Sequence, residues 1–181
     1  MTAIAQDTVR PAPTVGKRPV LQPLFVCGAL ALLAPIAVAL PITLLRGRPL
    51  PWQFQVPWAA PHIAVAVLVV VLGALQLALR KGDRRHRLVG YAWCGLMAFI
   101  SVSGFLIRLK PGPMTLIHMA SSAFAVLNLI CLPLLIWGAR TGHRKLHKVV
   151  ALVMFANLLS SGAQAYIPFR AIGLLVFGAL H

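Results

Sequence analysis

Long apolar stretches alternate with short clusters of basic residues along the chain. No Lys, Arg, Asp or Glu lies inside four intervals, those between Arg18 and Arg46, Arg48 and Arg80, Lys110 and Arg140, and Lys148 and Arg170. A fifth apolar stretch separates Arg87 from Arg108. About 20 predominantly apolar residues cross the hydrocarbon core of a bilayer as a helix. The pattern therefore predicts five transmembrane helices, at about 22–45, 58–80, 87–108, 114–139 and 146–167.

The two ends of the chain depart from this pattern. Residues 1–20 are polar and rich in proline, and they predict a short, disordered, basic cytoplasmic arm. Residues 21–181 are expected to form a single transmembrane domain. Pro168 should end the fifth span, because proline interrupts helical hydrogen bonding. The stretch from Ala171 to Leu180 is too short to cross the membrane, so it should be a short segment that lies in the interface or folds back.

The few polar residues of spans two to five recur at a spacing of three or four, which places them on one face of each helix. Lipid cannot hydrogen-bond to amides and hydroxyls, so these stripes should face other helices or water. We therefore expect an all-α membrane protein in which spans two to five form a four-helix bundle and the first span packs peripherally. The polar residues of the stripes are Gln76, Ser101, Ser121, Asn128, Asn157, Ser161 and Gln164.

Charge is distributed very unevenly, with 17 Lys and Arg against two acidic residues, Asp7 and Asp83. Nucleic acid is an improbable partner, since the basic residues lie at the ends of apolar spans and do not form one patch. Anionic lipid headgroups are the expected counter-ions. The residues predicted to bind them are Arg80, Lys81, Arg84, Arg85, Arg87, Arg140, Arg144, Lys145 and Lys148.

The same charges predict an orientation in the membrane. With five spans, twelve of the 17 basic residues fall on the side of the N-terminal arm and of the loops around Lys81 and Lys145. The positive-inside rule places this side in the cytoplasm. The sequence thus predicts a protein of the bacterial inner membrane with a cytoplasmic N-terminus and a periplasmic C-terminus.

Cysteine usage indicates no metal site. Cys27, Cys94 and Cys131 all fall within apolar spans and show no metal-binding spacing. We interpret them as small buried hydrophobic residues.

Histidines mark what looks like an internal duplication. His62, an apolar span, Arg80-Lys81-Gly82 and His86 are followed by His118, an apolar span, Arg140-Thr141-Gly142 and His147. Because alternate spans run in the same direction, His62 should meet His118 near the external face and His86 should meet His147 near the cytoplasmic face. His143 shares a helical face with His147, but no third ligand completes a non-haem metal site.

Two imidazoles on facing helices can hold a haem iron within a bundle. This layout resembles the diheme cytochromes b of the b561 class. The resemblance implies haem b bound by His62 with His118 and by His86 with His147, and electron transfer across the membrane. Basic residues flank His86 and His147 on both sides, so these two rings are expected at headgroup depth, which is shallow for haem ligands.

A second resemblance extends over residues 58–178. It rests on Pro61-His62, Leu75-Gln76, Lys81-Gly82, His86-Arg87, Gly90, Trp93, Met97, Ser103-Gly104-Phe105, Ile117-His118-Met119-Ala120-Ser121, Gly142, His147-Lys148 and Pro168-Phe169-Arg170. These residues resemble a family of small bacterial membrane proteins, the domain of unknown function 2306. The resemblance implies no activity, but it favours His147 over His143 as the family histidine.

Three functional interpretations stay open. With only two carboxylates, nothing in the sequence would orient a histidine for hydrolysis or group transfer, so redox chemistry would come from a cofactor. The first interpretation is a haem b or quinone-linked electron-transfer protein. The second is a non-catalytic accessory protein that binds anionic lipid or a larger membrane complex through its basic loops. The third, a small transporter or proton path along the amide stripe, is disfavoured by the lack of acidic residues.

Overall fold

The computed structural model describes residues 21–108, 116–167 and 170–180, and these residues contain helices and no strand. The α-helices are α1 (Leu21–Leu45), α2 (Ala59–Ala78), α3 (Arg84–Arg108), α4 (Leu116–Arg140), α5 (Arg144–Gln164) and α6 (Ala171–Leu180), with a short 3-10 helix (Trp52–Gln55) before α2. The predicted N-terminal arm, the first residues of the predicted fourth span and Pro168 lie outside the described residues.

Helices α1 to α5 are each long and apolar enough to cross a membrane. The chain is thus an all-helical protein with the composition of a multi-pass membrane protein. Several helix ends differ from the predicted bounds. Helix α5 begins at Arg144, two residues before the predicted start, and it ends at Gln164, three residues before the predicted end at 167. Helix α2 ends at Ala78 and not at Arg80, because Leu79 adopts an extended conformation with φ −64° and ψ 148°. Helix α3 begins at Arg84, three residues before the predicted start at Arg87, which directly precedes the apolar run.

The helices pack in sequence around a common core. Helix α2 contacts α3, α3 contacts α4, α4 contacts α5, and α5 also contacts α2. Helix α1 lies against α2 and α5. Only 11% of the most apolar window of α1 is buried, compared with 39% for α3. Helix α1 is therefore the most exposed of the five long helices, and α3 is the most enclosed.

The core at the middle of the helices depends on close approach of α2 to its neighbours. Trp93 on α3 donates its indole N–H to the carbonyl of Val69 on α2 at 3.0 Å. A β-carbon at Gly73 would overlap the ring of Phe155 on α5 and would lie 3.0 Å from the Trp93 indole nitrogen. Gly73 therefore lets two large aromatic side chains pack directly on the α2 backbone, as small residues do between membrane helices.

The C-terminal stretch forms helix α6, which packs along α1. Leu175 of α6 and Ala39 of α1 are both buried in a small separate apolar cluster. Arg48, just after α1, donates to the carbonyl of Gly178 at 2.7 Å. The last helix is thus held to the first by apolar packing and by a charged hydrogen bond.

Candidate functional sites at the two ends of the helices

The turns after α2 and α4 bring the basic residues to one end of the molecule. His86 follows the first turn and His147 follows the second, so both histidines lie at this end of the molecule. The side chains of all nine residues predicted to bind lipid are exposed. We call this set the basic end; it consists of Arg80, Lys81, Arg84, Arg85, Arg87, Arg140, Arg144, Lys145 and Lys148.

Asp83 is the only acidic residue in the described part of the chain, and it caps helix α3. One of its carboxylate oxygens accepts the backbone N–H of His86 at 2.6 Å. Its backbone carbonyl accepts the N–H of Arg87 at 3.2 Å. A carboxylate at a helix N-terminus satisfies an otherwise unpaired donor and interacts favourably with the helix dipole. The one carboxylate at the basic end is thus engaged with backbone.

His86 and His147 lie at the basic end in different hydrogen-bonding environments. The Gln76 side-chain nitrogen donates to the His86 carbonyl at 2.8 Å and lies 3.4 Å from His86 Nε2. His147 Nδ1 donates to the carbonyl of Leu135 at 3.1 Å, since a carbonyl can only accept. The neutral His147 ring therefore carries its lone pair on Nε2.

Two buried polar atoms beside this pair lack a hydrogen-bond partner among the described residues. They are Nδ1 of His86 and Oε1 of Gln76. The backbones of α3 and α5 do not come close to each other over their described residues, so His86 and His147 lie on helices that are diagonal to each other. The predicted pair shares one end of the molecule, but the Nε2 of His86 faces the Gln76 amide.

A cavity of about 180 Å³ lies towards the opposite end of the helices, and residues of all six helices line it. Its walls are mainly apolar. Seven of its lining residues carry polar side chains, namely His62, Ser101, Ser121, Asn128, Ser161, Tyr166 and Arg170.

His62 is held in a defined tautomer on the cavity wall. The Ser103 hydroxyl donates to the carbonyl of Phe99 at 2.7 Å, so it accepts a hydrogen bond from His62 Nδ1 at 2.9 Å. The lone pair of the neutral ring is then on Nε2. Gly104 lies beside the ring, and a β-carbon there would be in ordinary van der Waals contact with His62 Cε1 at 3.6 Å. His118 begins α4, but its side chain lies outside the described residues, so its pairing with His62 stays a prediction.

Arg170 is the cation of the cavity. Its side chain is half-buried, and burial of the guanidinium lowers the pKa of Arg170. It donates to the Ser121 hydroxyl over a long 3.5 Å, and that hydroxyl donates to Gln164 Oε1 at 3.3 Å. The only described carboxylate, Asp83, caps α3 at the other end of the helices. A partly desolvated positive charge therefore borders the cavity without a carboxylate partner among the described residues.

All seven residues of the polar stripe are buried or half-buried. Asn157 on α5 donates to Oδ1 of Asn128 at 2.9 Å and to the carbonyl of Phe124 at 3.0 Å, which joins α5 to α4. The Ser101 side chain is 2% exposed, and its hydroxyl has no hydrogen-bond partner among the described residues. Most of the stripe thus connects helices, and Ser101 instead faces the cavity. The remaining stripe residue, Ser161, also lines the cavity.

Several contributors were not identified from the sequence. Ser103 and Asp83 act through single hydrogen bonds, and only Asp83 carries a local signal, since an acidic residue just before a helix is typical of a cap. Tyr166, after α5, donates its hydroxyl to the Leu32 carbonyl on α1, a contact that no local pattern indicates. One expectation was wrong: Cys27 is exposed on α1, although Cys131 is buried and Cys94 is partly buried. Burial on α1 is low overall, so a cysteine on its outer face meets no other helix.

Comparison with family models, with characterised proteins and with solved structures found no match. The resemblances to the domain of unknown function 2306 and to the diheme cytochromes b therefore stay predictions.

Proposed function

We propose that the protein is a non-catalytic accessory protein of the bacterial inner membrane whose basic end faces the cytoplasm and binds anionic lipid headgroups. In this proposal α2 to α5 form a transmembrane four-helix bundle, with α1 at its periphery and α6 near the outer interface. The observation that carries the proposal is the exposure of nine cationic side chains on the α2–α3 and α4–α5 turns and on the helix ends beside them. The one carboxylate among them is engaged in capping α3.

The positive charges of the basic end are not neutralised by carboxylates of the described chain. A Lys or Arg near an anionic membrane surface contributes about 1 kcal/mol of binding. Surface ion pairs would compete with lipid for these cations, but Asp83 is the only acidic residue that the described chain offers. The basic end is thus suited to several lipid phosphates at once, or to an acidic surface of a larger membrane complex.

Lipid binding is tested by native mass spectrometry of the protein in mild detergent with added phosphatidylglycerol. The Arg84→Gln/Arg85→Gln double variant should bind this lipid about thirtyfold more weakly, since two lost contacts amount to about 2 kcal/mol. The control double variant, Arg46→Gln/Arg48→Gln, changes two cations at the opposite end and should bind as the parent does. Equal losses in both variants would overturn the proposal, and a co-purifying protein lost only from the first variant would indicate a complex as the recipient.

Orientation is tested by labelling single cysteines in cells. A parent lacking Cys27, Cys94 and Cys131 receives one cysteine, by Arg85→Cys or by Arg48→Cys. A membrane-impermeant thiol reagent added from the periplasmic side should label the second variant and spare the first until the membrane is opened. The reverse pattern would show that the basic end faces outward.

A second proposal, electron transfer through haem b, is favoured by the tautomers of His62 and His147. Histidines that bind metal through Nε2 commonly donate Nδ1–H to a neighbouring acceptor, as these two do. His62 also borders a cavity and so fits a ligand role. His86 does not fit in the described arrangement, because its Nε2 faces the Gln76 amide. When bound, haem supplies one-electron chemistry. The chain would orient the His62 ring through its hydrogen bond to Ser103. A quinone is the expected redox partner.

The haem proposal is tested by absorption spectra of the purified protein, first air-oxidised and then reduced with dithionite. Haem predicts a Soret band and a sharpened α band on reduction. His62→Ala should lose this signal, whereas the exposed His143→Ala should retain it. Absence of a Soret band in protein expressed with ample haem, with a negative pyridine haemochrome assay, would remove the proposal.

A further inference from the structure

We propose that the cavity at the Arg170 end binds a single-chain anionic amphiphile, with its carboxylate or phosphate head at Arg170 and its hydrocarbon chain between α1 and α2. This site is separate from the basic end and goes beyond the lipid binding proposed there. The inference rests on a cation, an unpaired hydroxyl and apolar walls that meet in one cavity.

The first support is the electrostatic environment of Arg170. Among the described residues it makes one long hydrogen bond of 3.5 Å, to the neutral hydroxyl of Ser121. A partly buried cation loses hydration, and an anion that makes charge-assisted hydrogen bonds restores the loss. The guanidinium fork also matches the geometry of carboxylate and phosphate oxygens. An anionic head group is therefore the ligand chemistry that this residue favours.

The second support is independent of charge. Ser101 lies on α3, its side chain is 2% exposed, and its hydroxyl lines the cavity without a hydrogen-bond partner among the described residues. Buried polar groups are nearly always paired, because an unpaired group has lost its hydrogen bonds to water without replacing them. A second oxygen of the bound head group is the partner that would satisfy it.

The third support is the shape and lining of the rest of the cavity. Leu32 and Ile36 on α1 and Ile63 and Val67 on α2 contribute apolar walls. The volume of about 180 Å³ is below the range of about 300–1,000 Å³ of pockets for drug-sized ligands. The cavity is thus too small for a two-chain phospholipid, and it has room for a head group and the first part of one chain.

Binding is measured by native mass spectrometry of the full chain in nonionic detergent, with dodecanoate, dodecyl phosphate and dodecan-1-ol as matched probes. The two anionic probes should form one specific adduct and bind at least tenfold more tightly than the alcohol. Arg170→Gln should weaken dodecanoate binding at least tenfold and leave the alcohol unchanged. Arg170→Lys should restore part of the affinity, and it keeps the test informative if the Gln variant fails to fold.

Two further variants locate the adduct. Ser101→Ala should weaken dodecanoate binding about threefold or more without changing elution of the protein as a single species. The Arg84→Gln/Arg85→Gln variant should retain dodecanoate while losing phosphatidylglycerol, so the two proposals can fail independently. The outcomes that overturn the cavity site are equal binding of dodecanoate and dodecan-1-ol, equal binding by the Arg170→Gln and parent proteins, and haem found in the cavity by a Soret band that His62→Ala removes.

Discussion

The turn between α2 and α3 and the turn between α4 and α5 share a glycine at the same place before the next helix but differ in length and in side chains, since five residues separate the first pair of helices and three separate the second. In each, a glycine with positive φ, Gly82 at 87° or Gly142 at 78°, precedes the next helix by two residues. The residue before the glycine bonds to carbonyls of the preceding helix: Lys81 to Gln76 and Leu77 at 2.7 and 2.9 Å, and Thr141 to Trp137 at 2.8 Å. In both turns the next helix thus begins two residues after a left-handed glycine, and the side chain before that glycine bonds to the end of the preceding helix.

The position after the glycine distinguishes the two turns. Asp83 caps α3 through its carboxylate. His143 occupies the same place before α5 but makes no side-chain cap hydrogen bond. Its ring stacks on Trp137 with centroids 4.8 Å apart, and its Nδ1 bonds with the Thr141 hydroxyl at 2.7 Å. The first turn is therefore stabilised by its N-cap, and the second by contact with the helix before it.

The largest effect is expected from the two turn glycines. Gly82→Ala and Gly142→Ala should each lower the free energy of unfolding by about 1–2 kcal/mol, because L-residues are strained at positive φ. Neither β-carbon would meet another atom within 4 Å, so the loss measures backbone strain alone. Unfolding by a denaturing detergent in mixed micelles gives the values. Gly95→Ala, at an open helical position, is the control and should be neutral or stabilising; losses confined to one turn would show that the two glycines are not equivalent.

The next effect concerns the cap that only the first turn has. Asp83→Ala should destabilise the protein by about 1 kcal/mol, since the His86 N–H loses its acceptor. Asp83→Asn keeps a capping oxygen and should destabilise the protein by only a few tenths of a kcal/mol. Comparing the two variants separates the contribution of the hydrogen bond from that of the charge. The same detergent titration measures both variants. An Asn variant as unstable as the Ala variant would indicate that the negative charge is the important property.

A smaller effect should follow when the second turn receives the cap of the first. His143→Asp should stabilise α5 by about 0.5 kcal/mol, the gain from a cap and the helix dipole less the loss of stacking on Trp137. His143→Ala, which loses stacking and gains no cap, is the matched control. If the Asp variant proves no more stable than the Ala variant, the α5 terminus does not accept an N-cap in this geometry.

The smallest effect is expected from exchanging Lys81 and Thr141, whose side chains donate to carbonyls at the ends of α2 and α4. Lys81→Thr and Thr141→Lys should each change the free energy of unfolding by less than about 0.5 kcal/mol, because both side chains are exposed and substitutions at exposed positions usually have effects of this size. Lys81→Ala removes the donor and should be the least stable of the three in the detergent titration. A large loss in either exchange would mean that each donor is specific to its own turn.

The sequence predicts most of the helical framework and only part of the sites. Apolar runs of sufficient length locate the five long helices, because a segment that crosses the hydrocarbon core must be about 20 residues long, apolar and helical. Apolarity predicts the start of α3 at Arg87, directly before the apolar run. The helix in fact begins three residues earlier, at Arg84, because Asp83 caps it there. Helix periodicity identified Ser101 and Asn157 as inward-facing. The cavity could not be predicted, because Arg170 and Tyr166 reach it only after the chain beyond α5 returns towards α1 and α4.

The attachment of α1 has a consequence for the order in which the protein is assembled during synthesis. Helix α1 is synthesised before two of its partners, since Leu32 accepts its hydrogen bond from Tyr166 and Arg48 donates to Gly178, 134 and 130 residues further along the chain. Both partners follow α5 and emerge only after the four helices α2 to α5 have been made. Helix α1 must therefore enter the bilayer before these two bonds can form, which its long apolar sequence allows.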